Sequence, residues 1–141
     1  NVVCFGGGHF KKKELPKFHK DMKFYQVNGS DKVLFNLYKN ALCYISTSLY
    51  EGFGIPAIEA MSLNCPVICS NINVYKEVCG RAALYFEPSN HKQIKKIILK
   101  LLENKRLRNK MITLGLRKSK NYTWRKCANK TIEVYKKVLN N

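Results

Sequence analysis

The chain has 141 residues, 45% of them hydrophobic, and sets 26 Lys and Arg against 9 Asp and Glu for a formal charge of +17. That length suffices to bury a real core, and that apolar fraction is ordinary for a soluble globule. No apolar run approaches the ~20 residues of a bilayer-spanning helix, and no secretory signal is visible.

Taken in chain order, strand-like apolar runs fall at 1–5, 23–27, 42–46, 66–69 and 83–86. Helical patterns fall between them near 12–20, 31–40, 56–63 and 74–79, with Pro16 limiting the first. This alternation is the rhythm of a parallel sheet with helices on both faces, an α/β fold. From Ser89 onward no strand signal remains. Ile94, Ile97, Ile98, Leu101 and Leu102 recur at three- and four-residue steps, which predicts an amphipathic helix. A second helix is expected around 105–120, with Leu107, Met111, Leu114 and Leu116 as its apolar positions. Thr123 is a suitable N-cap for a third, running to about Leu139 through Ala128, Ile132, Tyr135 and Val138. Repeats and long linkers are absent, so residues 1–141 read as one domain with a helical C-terminal segment.

Residues 49–61, Leu-Tyr-Glu-Gly-Phe-Gly-Ile-Pro-Ala-Ile-Glu-Ala-Met, are the most informative stretch. Glu51 and Glu59 stand with seven residues between them across a Gly-Phe-Gly-Ile-Pro turn. Gly52 and Gly54 allow positive φ or a close approach of backbone to ligand, and Pro56 suits the first turn of a helix. Glu51 is thereby expected at the carboxyl end of a strand and Glu59 about one turn into the next helix. Ligands of open α/β sheets bind at that edge, and the free N–H groups of a helix start attract anions. Carboxylates beside such a site are natural acceptors for sugar and ribose hydroxyls. A Glu near a helix start also stabilises the helix through its dipole with no ligand involved, so the residues alone leave both readings open.

The wider pattern resembles the retaining glycosyltransferases of family 4, which have the two-domain GT-B fold. The resemblance runs through Ser48 to Met61, continues in Cys65-Pro66-Val67-Ile68-Cys69-Ser70-Asn71, and then in Glu77-Val78-Cys79-Gly80-Arg81-Ala82-Ala83-Leu84 and Phe86-Glu87-Pro88. Leu37-Tyr38-Lys39-Asn40-Ala41 upstream and Tyr122-Thr123-Trp124 downstream extend it over nearly the whole chain. It implies a Rossmann-like donor-binding domain, the C-terminal half of a GT-B enzyme. The acceptor-binding domain would precede Asn1, and the isolated domain would be inactive alone.

The same resemblance implies residue roles. Glu51 would be the catalytic carboxylate, touching the transferred sugar and supporting positive charge at its anomeric carbon. Glu59 would accept hydrogen bonds from the donor's ribose. The N–H groups of Gly52, Phe53, Gly54 and Ile55 would reach sugar and diphosphate. Gly6 and Gly7 resemble the family's glycine pair after the first strand, with a tight strand exit as the first role and ligand contact second. The donor would be a UDP- or GDP-linked hexose or N-acetylhexosamine. The acceptor would be a glycan or a lipid-linked glycan, with bacterial O-antigen or surface polysaccharide synthesis as the expected setting. No metal or other cofactor is expected. Three departures stand out: the family's diphosphate-gripping Arg and Lys would lie before this chain, a Gly expected near Val27-Asn28 is replaced, and Asn64 stands where Gly is usual. Asn tolerates the left-handed region, so the last change is mild.

The six cysteines include no Cys-x-x-Cys pair and the three histidines are scattered, which argues against zinc and for reduced thiols in a cytoplasmic protein. The charge is uneven. Residues 91–141 hold sixteen basic and two acidic side chains, while residues 1–90 hold ten and seven. Basic amphipathic helices suit an anionic membrane surface, here the inner face of the cytoplasmic membrane, although a merely solvated Lys-rich face explains the same run. Nucleic-acid binding is the alternative from another class. It is disfavoured because Tyr122, Trp124 and Tyr135, the aromatics of the basic run, have the spacing of core or packing residues rather than of stacking platforms. A GT-B nucleotide-sugar epimerase shares the architecture but is disfavoured by the Glu-Gly-Phe-Gly-Ile-Pro run.

Overall fold

The computed structural model describes residues 1–7 and 23–140. The helix expected over 12–20 lies outside the described residues, as does Gly8. The chain divides into two compact units, Asn1–Leu37 and Tyr38–Asn141.

The first unit holds two parallel strands, β1 (Val2–Phe5) and β2 (Phe24–Val27), with Val2 opposite Phe24 and Phe5 opposite Val27. It also holds most of α1 (Asp31–Asn40), whose last turn belongs to the second unit. β1 leaves through Gly6 and Gly7, both at φ 77°. A Cβ at either would meet nothing within 4 Å, so the backbone angle rather than crowding requires glycine. This is the tight strand exit expected there.

The second unit is built on β3 (Tyr44–Ser46), β4 (Val67–Ser70) and β5 (Ala83–Phe86), all parallel in the order β3-β4-β5. Two connections make the crossovers: α2 (Ile55–Ser62), and α3 (Asn73–Cys79) followed by a 3-10 turn at Gly80–Ala82. Every residue of β4 is buried. Its Val-Ile-Cys-Ser run is what a central parallel strand covered on both faces requires. α2 closes with Cys65 N–H donating to Ala60 O at 2.9 Å across Asn64, which sits at φ 63°. Asn64 thus takes the left-handed position that glycine most often fills after a helix.

Three helices follow: α4 (His91–Glu103), α5 (Lys105–Ser119) and α6 (Trp124–Leu139). Each is capped by the side chain just before it. Asn90 accepts from Gln93 N–H, Asn104 from Leu107 N–H, and Thr123 from Lys126 N–H. Ile68, Phe86, Leu101 and Met111 form the core, and Ile94, Ile97, Ile98 and Leu107 pack against it. Ile94, Ile97, Ile98 and Leu101 of α4 and Leu107 and Met111 of α5 thus pack as expected, whereas Leu102, expected in the same stripe, is exposed. Arg108 closes the end of α4 by donating to the carbonyls of Leu101 and Leu102.

α6 departs from expectation. None of its residues is buried, and Trp124 and Tyr135, expected as core or packing residues, are 82% and 64% exposed. Helical spacing specifies an apolar stripe but not what covers it. Among the described residues nothing does. Tyr122 alone behaves as expected, half-buried with its ring against Phe53. No helix among the described residues is long and apolar enough to cross a membrane.

Candidate functional site

β3 ends at Ser46, and the loop that follows delivers Glu51, Gly52 and Phe53 before α2 begins at Ile55. Gly54 caps α2 at φ 87°, ψ 46°, with Pro56 in the first turn. Glycine offers no side-chain oxygen, so no side chain caps this helix. Pro56 has no N–H and Ala57 N–H donates to Gly54 O at 3.1 Å, so the N–H groups that the helix start offers to an anion at the strand edge are those of Gly54 and Ile55. Gly54 is confined as well as left-handed. A Cβ there would lie 2.6 Å from Cε1 of Tyr75.

Both carboxylates are backed by buried phenols. Glu51 is half-buried and accepts from the Tyr75 hydroxyl at 3.1 Å. The Tyr75 oxygen lies 2.6 Å from Ser46 Oγ, which in turn lies 3.3 Å from Ser48 Oγ. Glu59, half-buried in α2, lies near the phenol of Tyr38, whose ionisation its charge opposes. The rings of Tyr38 and Tyr44 meet edge to face at 5.7 Å, joining the two arrangements. Burial raises the phenols of all three tyrosines. The neighbouring charge of Glu59 adds to the rise at Tyr38, and that of Glu51 at Tyr75 and at Tyr44, which reaches about 12. All three stay protonated at neutral pH and stand around the carboxylates as neutral hydroxyls or packing faces.

The outer side of the loop is apolar and open, with Leu49, Tyr50, Phe53 and Ile55 exposed. Phe53 packs edge-on against Tyr122 at 5.4 Å, and Lys118 Nζ lies 5.6 Å from the Tyr122 ring centroid. Lys118 also donates to Glu77 O at 3.1 Å. Two shallow clefts of about 220 and 260 Å³ lie elsewhere in this unit, the first lined by Cys79, Arg81 and Lys118, the second by Tyr85, Gln93 and Lys96. Neither is lined by a residue of the 49–61 stretch. The polar groups that converge at the open strand edge, rather than cavity volume, mark the site.

The second unit thus brings together Glu51, Glu59, Gly52, Phe53, Gly54 and Ile55 on one loop and the helix it opens. Gly6 and Gly7 belong to the first unit. Sequence reasoning missed Tyr38, Ser46 and Tyr75. Its one usable signal was positional: α3, which carries Tyr75, also starts from the carboxyl end of a strand.

Among the described residues no three of His, Cys, Asp and Glu gather as they would around a metal ion. The thiols are free: Cys65, Cys69 and Cys79 are buried, whereas Cys127 is exposed. Burial pushes Cys65 up to about 12 and Cys43 up to about 11. The buried thiols Cys69 and Cys79 influence each other, Cys69 being raised and Cys79 lowered.

Residues 3–117 match the family model of glycosyl transferases group 1. An O-antigen chain mannosyltransferase B of Escherichia coli is 39% identical over 106 residues, which is 75% of this chain and 28% of the relative. An O-antigen chain mannosyltransferase of Salmonella typhimurium is 50% identical over 56 residues, covering 40% of this chain and 16% of the relative. A serotype-specific mannosyltransferase of Escherichia coli is 29% identical over 110 residues, covering 78% and 14%. The chain thus spans less than a third of the length of each of these curated relatives.

Proposed function

This chain belongs to the glycosyl transferases group 1, and from that premise we propose that it is the donor-binding part of a retaining transferase that moves a mannosyl residue from a nucleoside diphosphate sugar onto a growing glycan. The observation that carries this reading is the start of α2, which no side chain caps, flanked by Glu51, which accepts from buried Tyr75, and by Glu59 near buried Tyr38. The diphosphate meets the N–H groups of Gly52 to Ile55. Glu59 receives the ribose hydroxyls, and Glu51 faces the sugar. Mannose is the first sugar to test because three mannosyltransferases are among the relatives.

In a retaining transfer the bond from the anomeric carbon to the diphosphate oxygen breaks, and the acceptor oxygen bonds to that carbon from the same face. The acceptor's proton leaves with the diphosphate. Positive charge develops at the anomeric carbon, where a fixed carboxylate such as Glu51 stabilises the transition state. The proposed reaction uses no resident metal, the leaving diphosphate being neutralised by helix N–H groups and protein cations. The acceptor would be a lipid-linked or free glycan in bacterial surface polysaccharide assembly on the cytoplasmic side. The 141-residue chain alone would bind donor weakly and transfer nothing.

Titration calorimetry with GDP-mannose, GDP, UDP and ADP tests the site. Binding of one nucleotide class, lost in Glu59→Ala, is the expected result. Absence of binding to all of them removes the donor-site assignment, and sugar transfer by the chain alone removes the proposed inactivity.

A second partner is favoured by α6. It carries Arg125, Lys126, Lys130, Lys136 and Lys137 against Glu133, and its apolar residues Trp124, Val138 and Leu139 are exposed. Such a helix suits an anionic lipid surface, where each cation contributes ~1 kcal/mol. Co-sedimentation with phosphatidylglycerol vesicles, and not with phosphatidylcholine vesicles, is expected. Equal partition to both removes the electrostatic part of this assignment.

A further inference from the structure

We propose that Tyr75 is the positioning residue for Glu51, holding that carboxylate for the donor's sugar through a directed chain of hydroxyls. The inference rests on the donor-site reading above and adds to it a residue from outside the 49–61 stretch.

Glu51 sits on a loop whose neighbours Tyr50, Gly52 and Phe53 are exposed. A carboxylate in that setting has rotamer freedom to lose on binding, which weakens every contact it makes. Tyr75 supplies the constraint. It is 1% exposed, and its hydroxyl donates to Glu51 Oε1 at 3.1 Å. A phenol carries one proton, so a Tyr75 that donates to Glu51 must accept from Ser46, whose own single proton then serves this 2.6 Å contact in place of its 3.3 Å contact with Ser48 Oγ. The order is therefore Ser46 to Tyr75 to Glu51, each hydroxyl polarised by the next, and it ends on one carboxylate oxygen. Oε2 is left for the ligand.

The chain is anchored at every step. Ser46 is the buried last residue of β3, and its carbonyl accepts from Ser70 Oγ of β4 at 3.4 Å. The backbone of α3 is held from β5, since the Tyr85 hydroxyl lies 3.1 Å from Tyr75 O and 2.6 Å from Gly80 O. The Tyr75 ring also fills the space that a side chain at position 54 would take. One side chain thus sets both the direction of Glu51 and the backbone that opens α2. Preorganisation of this kind favours groups that meet Glu51, the sugar hydroxyls, and leaves the nucleotide contacts untouched.

The test compares Tyr75→Phe with the wild-type chain in titrations of GDP-mannose and GDP, with UDP-glucose and UDP run alongside. Phenylalanine keeps the ring under Gly54 and removes only the hydroxyl. The expected result is an affinity for the sugar nucleotide about tenfold weaker, with the matching nucleoside diphosphate within about twofold. In a Glu51→Ala background, adding Tyr75→Phe should cost nothing further, because the effect passes through Glu51. Ser46→Ala, which deletes the start of the chain, should give a smaller loss of the same selectivity and serves if Tyr75→Phe does not fold. Equal losses for sugar nucleotide and diphosphate, no loss in either, or an undiminished loss without Glu51 overturns the positioning role while the donor site stands. Failure of the wild type to bind any of the four overturns both.

Discussion

β4 and α6 belong to the same compact unit and are both rich in apolar side chains, yet all four residues of β4 are buried and none of the sixteen of α6 is. The difference lies in partners rather than composition. β4 has a strand on either side and contributes Ile68 to the core. α6 has a well-formed cap and a clear apolar stripe, but the core it could join is already closed by α4 and α5. An exposed apolar stripe rimmed by lysines is what the proposed lipid contact of α6 rests on.

That contrast can be broken by substitution. Phe86→Ala should cost about 3–5 kcal/mol in urea unfolding, because the site is enclosed and cannot collapse fully. A loss below about 1 kcal/mol would mean that the core around β5 is looser than its burial indicates. Gly54→Ala should cost about 1–3 kcal/mol through its positive φ, and more through contact with Tyr75, while abolishing donor binding. Wild-type stability there would contradict the left-handed cap.

Alkaline pH sharpens the comparison from another side. Cys65 ionises near its ordinary value when unfolded but only at about 12 when folded. The unfolded state then binds fewer protons, so stability falls as pH rises from about 9, by at most about 1.4 kcal/mol per pH unit for this group. Urea midpoints measured from pH 8 to 10.5 should decline accordingly, and a flat profile would argue that the thiol is wetter than its burial indicates. At pH 8 iodoacetamide should modify Cys127 well before Cys65 or Cys69, as peptide mass mapping can read out. The smallest effect belongs to α6: Val138→Ala should change stability by no more than about 0.5 kcal/mol. A loss above about 2 kcal/mol would show that α6 is covered in solution after all.

Local chemistry made most of the fold legible. Strand runs, the Thr123 cap, the Pro56 helix start and the left-handed Asn64 each follow from one or a few neighbouring residues. The motif loop was legible for the same reason, since Glu51 to Glu59 are contiguous. Tyr75 and Tyr38 were not, because they reach those carboxylates from helices α3 and α1, and only the order of strands in the sheet brings them there. Trp124 and Tyr135 show the reverse failure. Their periodicity was clear, and the inference from stripe to core supplied a partner that the described residues do not contain.

Gly115 illustrates how the proposed donor edge can be retuned from behind. It lies in α5 directly against α2, where a Cβ would come within 3.1 Å of Met61 Cγ and 3.3 Å of Met61 Cβ. An added methyl group there would act as a shim, displacing the helix that carries Glu59 by a few tenths of an ångström relative to the loop that carries Glu51. Two chains identical throughout residues 49–61 could thus differ in the span between Glu51 and Glu59 through one contact with the Met61 side chain on the far side of α2.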